Sequence, residues 1–81
     1  MDDQIWQHIA INPKVMVGKP VIRGTRIPVE LLVRMVAQGI SVEVILAEYP
    51  RLTVEDIRAA LTYAARVVAD EDVFPLILQA A

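Results

Sequence analysis

The 81-residue sequence contains no cysteine and a single histidine, His8. The absence of cysteine excludes a disulfide scaffold and a thiolate nucleophile. One histidine without cysteine cannot provide the residue clusters that bind zinc, and His8 has no partner for a nucleophilic pair. We therefore predict that the chain has no catalytic residues, no metal site and no cofactor, and that it is not an enzyme.

Long uncharged stretches are also absent. The longest are Gln4–Pro13 and Val73–Ala81, which have about half of the ~20 residues that a membrane-spanning helix needs. The chain opens with the acidic residues Asp2 and Asp3, where a signal peptide carries basic residues. We therefore expect no membrane segment, no export and a cytoplasmic location.

Aromatic residues are few, at 5%, although 56% of the residues are hydrophobic. Typical globular domains are roughly 45–50% apolar, so the excess here is mainly aliphatic. The length predicts a single domain, residues 1–81, and roughly 40% of the surface stays exposed in a compact fold of this size. Part of the apolar excess is therefore expected to contact another chain, and we predict a homodimer.

The formal net charge is −2, which argues against general binding of polyanions, but the charges are unevenly distributed. Between Gln4 and Val29 there are basic residues and no acidic residue. The basic residues of this segment are Lys14, Lys19, Arg23 and Arg26. Such a segment generates a local positive field suited to a phosphate backbone; alternatively, it is a solvated turn region that happens to lack acidic residues.

The sequence pattern changes at Pro28. Before it, short β-branched stretches alternate with Gly and Pro, which predicts a β-hairpin arm over residues 1–27. We expect this cationic arm to project from the domain. After Pro28 the hydrophobic period is helical, which predicts three helices over residues 28–70, followed by an apolar tail, residues 71–81.

The first two predicted helices have clear ends. Pro28 suits the first position of helix one, and Gly39 suits the left-handed residue that closes it. Ser41 is a favourable N-cap for helix two, which Pro50 stops. Apolar residues recur at helical spacing in both helices: Val29, Leu32, Val33 and Val36, then Val42, Ile45, Leu46 and Tyr49.

The third helix has the strongest start signal. Thr53 is its predicted N-cap, and Asp56 occupies the third helical position, as in a capping box. The predicted buried stripe consists of Ile57, Leu61, Ala64 and Val68. The acidic residues that follow oppose the helix dipole, so we expect the helix to end near Ala69.

Helices two and three, joined by the short turn at Pro50–Leu52, form a candidate helix-turn-helix within a mainly α, three-helix core. Such spacing also occurs in proteins that do not bind DNA. Glu55 and Asp56, at the start of the recognition helix, repel phosphate, although a carboxylate can accept a hydrogen bond from cytosine. The predicted DNA-binding residues are Lys14, Lys19, Arg23, Arg26, Arg51, Arg58, Thr62 and Arg66.

The unbroken block Gly18–Val29 is the most distinctive stretch of the chain. Shorter groups accompany it: Asn12-Pro13, Gly39-Ile40-Ser41, Tyr49-Pro50, Leu52-Thr53 and Glu55-Asp56-Ile57. Together they resemble the bacterial and archaeal domain-of-unknown-function family 433, over about residues 9 to 65.

The resemblance implies a homeodomain-like helix-turn-helix fold and an antitoxin-like binding protein. The implied partner is a toxin similar to a PIN-domain ribonuclease and encoded by an adjacent gene. The protein would neutralise that toxin and repress its own operon by binding duplex DNA. The alternative is a protein-interaction module of the same fold that does not bind DNA.

The block that carries the resemblance has two physical interpretations. Gly18 and Gly24 suit turns with positive φ, and the apolar residues between them can pack on the helices. Arg23 and Arg26 are not explained by these folding requirements. They either clamp the structure or contact a ligand, and the sequence alone leaves both interpretations open.

Overall fold

A computed structural model describes residues 3–14 and 16–70 of the chain. Its three α-helices and two short strands confirm the predicted mainly α fold with an N-terminal hairpin. In chain order the elements are a 3₁₀-helix (Asp3–Gln7), β1 (Ile9–Ile11), a second 3₁₀-helix (Met16–Gly18), β2 (Pro20–Ile22), α1 (Val29–Ala37), α2 (Val42–Glu48) and α3 (Val54–Asp70). The predicted tail, residues 71–81, lies outside the described residues.

The hairpin is part of the core and does not project from it. β1 and β2 pair antiparallel, with Ile9 opposite Ile22 and Ala10 opposite Val21. Ile9, Ile22 and Val21 are all almost completely buried. The expectation of a projecting arm was therefore wrong, because an isolated two-stranded hairpin is marginally stable and these apolar side chains gain stability by packing against the helices.

α1 ends as the sequence predicts but starts one residue later. Pro28 is extended and precedes the helix, whose first residue is Val29, and no side chain caps this end. At the other end Gly39 has a φ of 84°. The N–H of Gly39 donates to the carbonyl of Val36 at 2.9 Å, and the N–H of Ile40 donates to that of Met35 at 3.1 Å. These two bonds form a Schellman closure, which requires a left-handed residue.

Side-chain caps fix the starts of α2 and α3. The hydroxyl of Ser41 accepts a hydrogen bond from the N–H of Val44 at 3.2 Å. At α3 the hydroxyl of Thr53 accepts from the N–H of Asp56 at 3.1 Å, and the Asp56 carboxylate accepts from the N–H of Thr53 at 3.0 Å. This reciprocal pair is the predicted capping box.

The core lies where the hairpin and α2 pack with α1 and α3. Leu32 of α1, Ile45 of α2 and Ala60 of α3 are fully buried at its centre. The alanine at position 60 lets the helices approach closely, because it adds no bulk beyond Cβ. No helix of the described ranges has both the length and the apolar character needed to cross a membrane.

Two predicted core positions are exposed. Val68, assigned to the buried stripe of α3, has 61% of its surface exposed, and Val42 of α2 is also exposed. α3 is about 26 Å long and α1 only about 14 Å, so the last turn of α3 extends past the packed core. Helical spacing predicted which face Val68 lies on, but the length of the neighbouring helix determines whether that face is covered.

Candidate nucleic-acid interface

A tight turn after β2 presents two of the predicted DNA-binding arginines. Gly24 has a φ of 81°, which L-residues rarely adopt. The hydroxyl of Thr25 donates to the carbonyl of Ile22 at 2.7 Å and accepts from the N–H of Ile27 at 3.0 Å. The N–H of Ile22 also donates to the carbonyl of Ile27 at 2.9 Å. These hydrogen bonds hold the turn in one conformation. The turn therefore fixes the backbone positions of Arg23 and Arg26.

Arg23 clamps the N-terminal segment to the hairpin. Its Nη2 donates to the carbonyl oxygens of Trp6, at 2.7 Å, and Ile9, at 3.0 Å. Its Nε donates to the same oxygen of Trp6 at 3.1 Å. A charged guanidinium that satisfies two carbonyls stabilises the backbone around it. The sequence left open whether Arg23 holds the structure together or contacts a ligand. These hydrogen bonds assign it the structural role.

Arg51 connects the turn after β2 to the turn between α2 and α3. Its Nη2 donates to the carbonyl of Gly24 at 3.2 Å, across 27 positions of sequence. Arg51 lies in the turn of the helix-turn-helix, so this bond fixes the cationic turn after β2 relative to α2 and α3.

Arg26 differs from both. It is exposed, and within the described ranges its guanidinium has no hydrogen-bond or ion-pair partner. No interaction among the described residues therefore uses the charge of Arg26, which leaves it available to a ligand.

The three arginines line one open depression with a volume of about 670 Å³, which we call the arginine cleft. The lining residues are Ala10, Asn12, Val21, Arg23, Gly24, Thr25, Arg26 and Arg51, and no carboxylate is among them. Guanidinium groups gathered without an acid produce a positive potential, and their planar donors match the oxygens of a phosphate. The cleft is therefore chemically suited to bind a phosphate group.

The exposed face of α3 has a different character. Arg58 and Thr62 lie there with Glu55, beside Gln4 and His8, around a depression of about 290 Å³. Glu55 and Arg58 are three positions apart on the helix, so their charges lie close together and largely cancel. The predicted recognition face is thus nearly neutral.

The N-terminal 3₁₀-helix packs beside this face. Ile5 is buried, and the Trp6 ring meets the Tyr63 ring edge-on, with centroids 5.9 Å apart. Nδ1 of His8 lies 2.8 Å from Oδ1 of Asp56, the same carboxylate that caps α3. The contact between His8 and Asp56 could not be predicted from the sequence, because these residues are 48 positions apart and neither has a local pattern that points to the other.

The remaining predicted binding residues do not join the arginine cleft. Lys19 forms an ion pair with Glu30 at 3.2 Å, and Glu30 also pairs with Arg34 one turn along α1. Lys14 lies in the exposed loop after β1, and Arg66 is half-buried in the second half of α3. Within the described ranges, no cluster of three or more His, Asp or Glu residues could hold a metal ion.

Comparison with known families identifies the domain. A family model described as "Protein of unknown function (DUF433)" matches residues 9–64. The chain belongs to this family. Every residue that lines the arginine cleft falls inside the matched DUF433 range, whereas the last turn of α3 lies beyond it.

Two relatives match part of this DUF433 chain. "Uncharacterized protein y4eO" of Sinorhizobium fredii is 45% identical over 56 residues, which are 69% of this chain but only 25% of that protein. An "Uncharacterized protein" of Archaeoglobus fulgidus is 59% identical over 29 residues, which are 36% of this chain and 81% of that protein. This chain therefore corresponds to about a quarter of the rhizobial relative.

A solved structure has the same fold. It is the crystal structure of a DUF433 member protein from Anabaena variabilis, which aligns with a TM-score of 0.70 at 45% identity. The alignment covers 78% of this chain and 63% of that chain.

Proposed function

We propose that this DUF433 domain is an antitoxin-like regulatory protein that binds duplex DNA, and that the arginine cleft is where it holds the phosphate backbone. The observation that carries the proposal is the convergence of Arg23, Arg26 and Arg51 on one surface without a carboxylate. Phosphate contacts supply most of the affinity in protein–DNA complexes, and such a surface provides them.

The roles of the three arginines follow from their contacts. Arg23 and Arg51 donate to backbone carbonyls, so they contribute fixed positive charge at the cleft. Arg26 is the uncommitted guanidinium, and it forms the direct, bidentate contact with a phosphate. Contacts of this kind fix the position of a protein on DNA, whereas sequence is recognised at base edges. The cleft therefore anchors the domain, and Arg51 links that anchor to the helix-turn-helix.

The antitoxin-like part of the proposal rests on the family resemblance. It adds a partner toxin similar to a PIN-domain ribonuclease, encoded beside this gene, and repression of the shared operon. It also includes a cytoplasmic homodimer, since paired helix-turn-helix units bind two half-sites about one helical turn apart. Co-expression with the neighbouring open reading frame and co-purification of the two products tests the partner. Sedimentation equilibrium tests the dimer.

DNA binding is tested by measuring the affinity of the chain for the duplex upstream of its own gene at several salt concentrations. The logarithm of the binding constant should fall linearly with the logarithm of the salt concentration, with a slope near −0.9 for each phosphate neutralised. Arg26→Ala should weaken binding and make the slope less steep by about 0.9, because it removes one contact.

Arg58→Ala is the matched control, because Arg58 is also exposed and has no described partner but lies on α3. It removes the same charge, so a general electrostatic effect would affect both variants alike. The proposal requires that Arg26→Ala lose more affinity for DNA than Arg58→Ala. An equal loss, a larger loss for Arg58→Ala, or no binding of the unmodified chain at low salt contradicts it.

A protein-interaction module without DNA binding is the second candidate. It is favoured by the net charge of −2 and by Glu55 at the start of α3, where a DNA-reading helix usually meets the bases. Stable co-purification with the adjacent gene product, together with no affinity for duplex DNA at low salt, would support this function over the first.

A further inference from the structure

An apolar groove of about 470 Å³ lies between α1 and the second half of α3, outside the arginine cleft. Its floor is formed by Val29, Val33, Tyr63, Ala64, Val67 and Val68. Val67 and Val68 have 41% and 61% of their surface exposed, although they lie side by side at one end of the groove. Adjacent exposed valines at the mouth of an apolar groove indicate a surface that another segment covers.

The rim of the groove carries excess positive charge. Lys19 and Arg34 both pair with the single carboxylate of Glu30. One negative charge therefore faces two positive charges, and all three side chains are about half exposed. A segment that enters the groove next to acidic residues would be favoured by this rim.

The sequence that follows α3 has both properties. Asp70, the last residue of α3, is followed by the acidic residues Glu71 and Asp72. The next six residues, Val73–Leu78, are apolar and uncharged. Pro75 disfavours helical backbone at the residue before it, so the sequence does not favour extending α3 through this segment.

We propose that the apolar groove binds the segment Val73–Leu78 of its own chain. The valines at the mouth of the groove lie within one helical turn of Asp70, so the segment starts beside its binding site. Eight residues after Asp70 span up to about 26 Å when extended, whereas Tyr63 and Val68 are separated by only about 8 Å of helix rise. The chain can therefore turn back and cover the groove.

Covalent connection favours the segment of the same chain over that of a second copy. A short connection of two residues gives an effective concentration in the millimolar range, well above ordinary protein concentrations. The acidic connection itself passes the cationic rim. The proposed DNA binding uses neither the apolar groove nor this segment. The binding of the segment and the binding of DNA can therefore fail independently.

Disulfide trapping tests the contact, because the natural sequence has no cysteine to interfere. The full-length double variant Val67→Cys with Leu76→Cys should lose both free thiols on mild oxidation and remain a monomer in a non-reducing gel. A disulfide forms only when the two Cα atoms approach within about 7 Å. Ala65→Cys with Leu76→Cys is the control, since Ala65 is also exposed on α3 and close to Leu76 along the chain but does not line the groove.

The outcomes separate the possible occupants. A monomeric cross-link in the groove pair but not in the control pair supports the proposal. A disulfide-linked dimer as the main product means that the segment of a second copy occupies the groove, and this overturns the proposal for the same chain. No cross-link in the groove pair, or equal cross-linking in both pairs, overturns it as well.

Proteolysis gives a second readout that needs no cysteine. Chymotrypsin cleaves after Leu76 only when this segment leaves the groove. Val67→Asp should raise the rate of that cleavage several-fold by making the groove polar, whereas Val44→Asp should leave it unchanged. Both valines are exposed in the described fold, so neither change is expected to unfold the domain. Equal cleavage rates in the two variants contradict the proposal.

Discussion

The arginine cleft and the exposed face of α3 both carry arginine, but their neighbours give these arginines different properties. In the cleft, Arg23 and Arg51 face backbone carbonyls and no carboxylate lines the surface. On α3, Arg58 lies three positions from Glu55, and the N-terminal 3₁₀-helix packs alongside. The comparison indicates that the number of basic residues does not by itself set the local charge of a surface. The determining factor is whether acidic side chains share the surface.

The cleft also separates two uses of the same residue type. Arg23 and Arg51 hold backbone segments together, whereas Arg26 has no described partner. Substitutions of Arg23 should therefore change stability, and substitutions of Arg26 should change binding. Substitutions in the core, at the clamp, at the cap of α3 and at Arg26 test this division and the contrast between the cleft and α3.

Ile22→Ala should lower the free energy of unfolding by about 2–5 kcal/mol, as expected for a fully buried isoleucine, and Ile57→Ala on α3 should cost a similar amount. The two losses of stability should be similar because Ile22, beside the cleft, and Ile57 of α3 belong to the same hydrophobic core. Urea denaturation measures both losses. Ile11→Ala, at a half-exposed position of β1, is the control and should stay within about 0.5 kcal/mol. A loss below about 1 kcal/mol for Ile22→Ala alone would mean that the hairpin is a separate arm.

Arg23→Ala should cost about 1–3 kcal/mol, because it leaves the carbonyls of Trp6 and Ile9 without their charged donor. Arg23→Lys should recover only part of this loss, since an ammonium lacks the planar fork that reaches both oxygens. Thermal unfolding followed by circular dichroism compares the two variants. Unchanged stability in Arg23→Ala would contradict the assignment of Arg23 as a clamp.

Thr53→Ala should cost about 1 kcal/mol by removing the cap of α3. Thr62→Ala makes the same chemical change at an exposed position inside α3 and should stay within about 0.5 kcal/mol. Urea titration measures the difference. Similar losses in the two variants would mean that the capping box does not determine where α3 starts.

Arg26→Ala should change stability by no more than about 0.5 kcal/mol, because its guanidinium has no described partner. Arg58→Ala should be equally neutral. Both can be measured by thermal unfolding on the same samples used for DNA binding. A stability loss of 1 kcal/mol or more in Arg26→Ala would show that Arg26 also serves folding, and its effect on DNA could then no longer be interpreted as a lost contact.

Local signals in the sequence predicted much of this fold. Ser41, Thr53 and Gly39 act on backbone groups only a few positions away, so their spacing was sufficient to place the ends of the helices. The cluster of basic residues before Val29 could also be predicted, because the charge of each residue and its position are read directly from the sequence.

Features that depend on distant partners could not be predicted in this way. The contact between His8 and Asp56 joins residues 48 positions apart, and the bond from Arg51 to the carbonyl of Gly24 spans 27. Periodicity identifies the face on which Val68 lies but gives no information about the length of α1. The burial of the hairpin likewise depends on how its strands pack against α1 and α3.

A titration of the ¹⁵N-labelled chain with its upstream duplex, followed by amide chemical shifts, tests most directly whether the arginine cleft holds DNA. If the proposal holds, it requires the largest shifts around the arginine cleft, at Gly24, Thr25, Arg26 and Arg51. The largest shifts at Glu55, Arg58 and Thr62, with the cleft unchanged, would contradict it and assign DNA binding to α3.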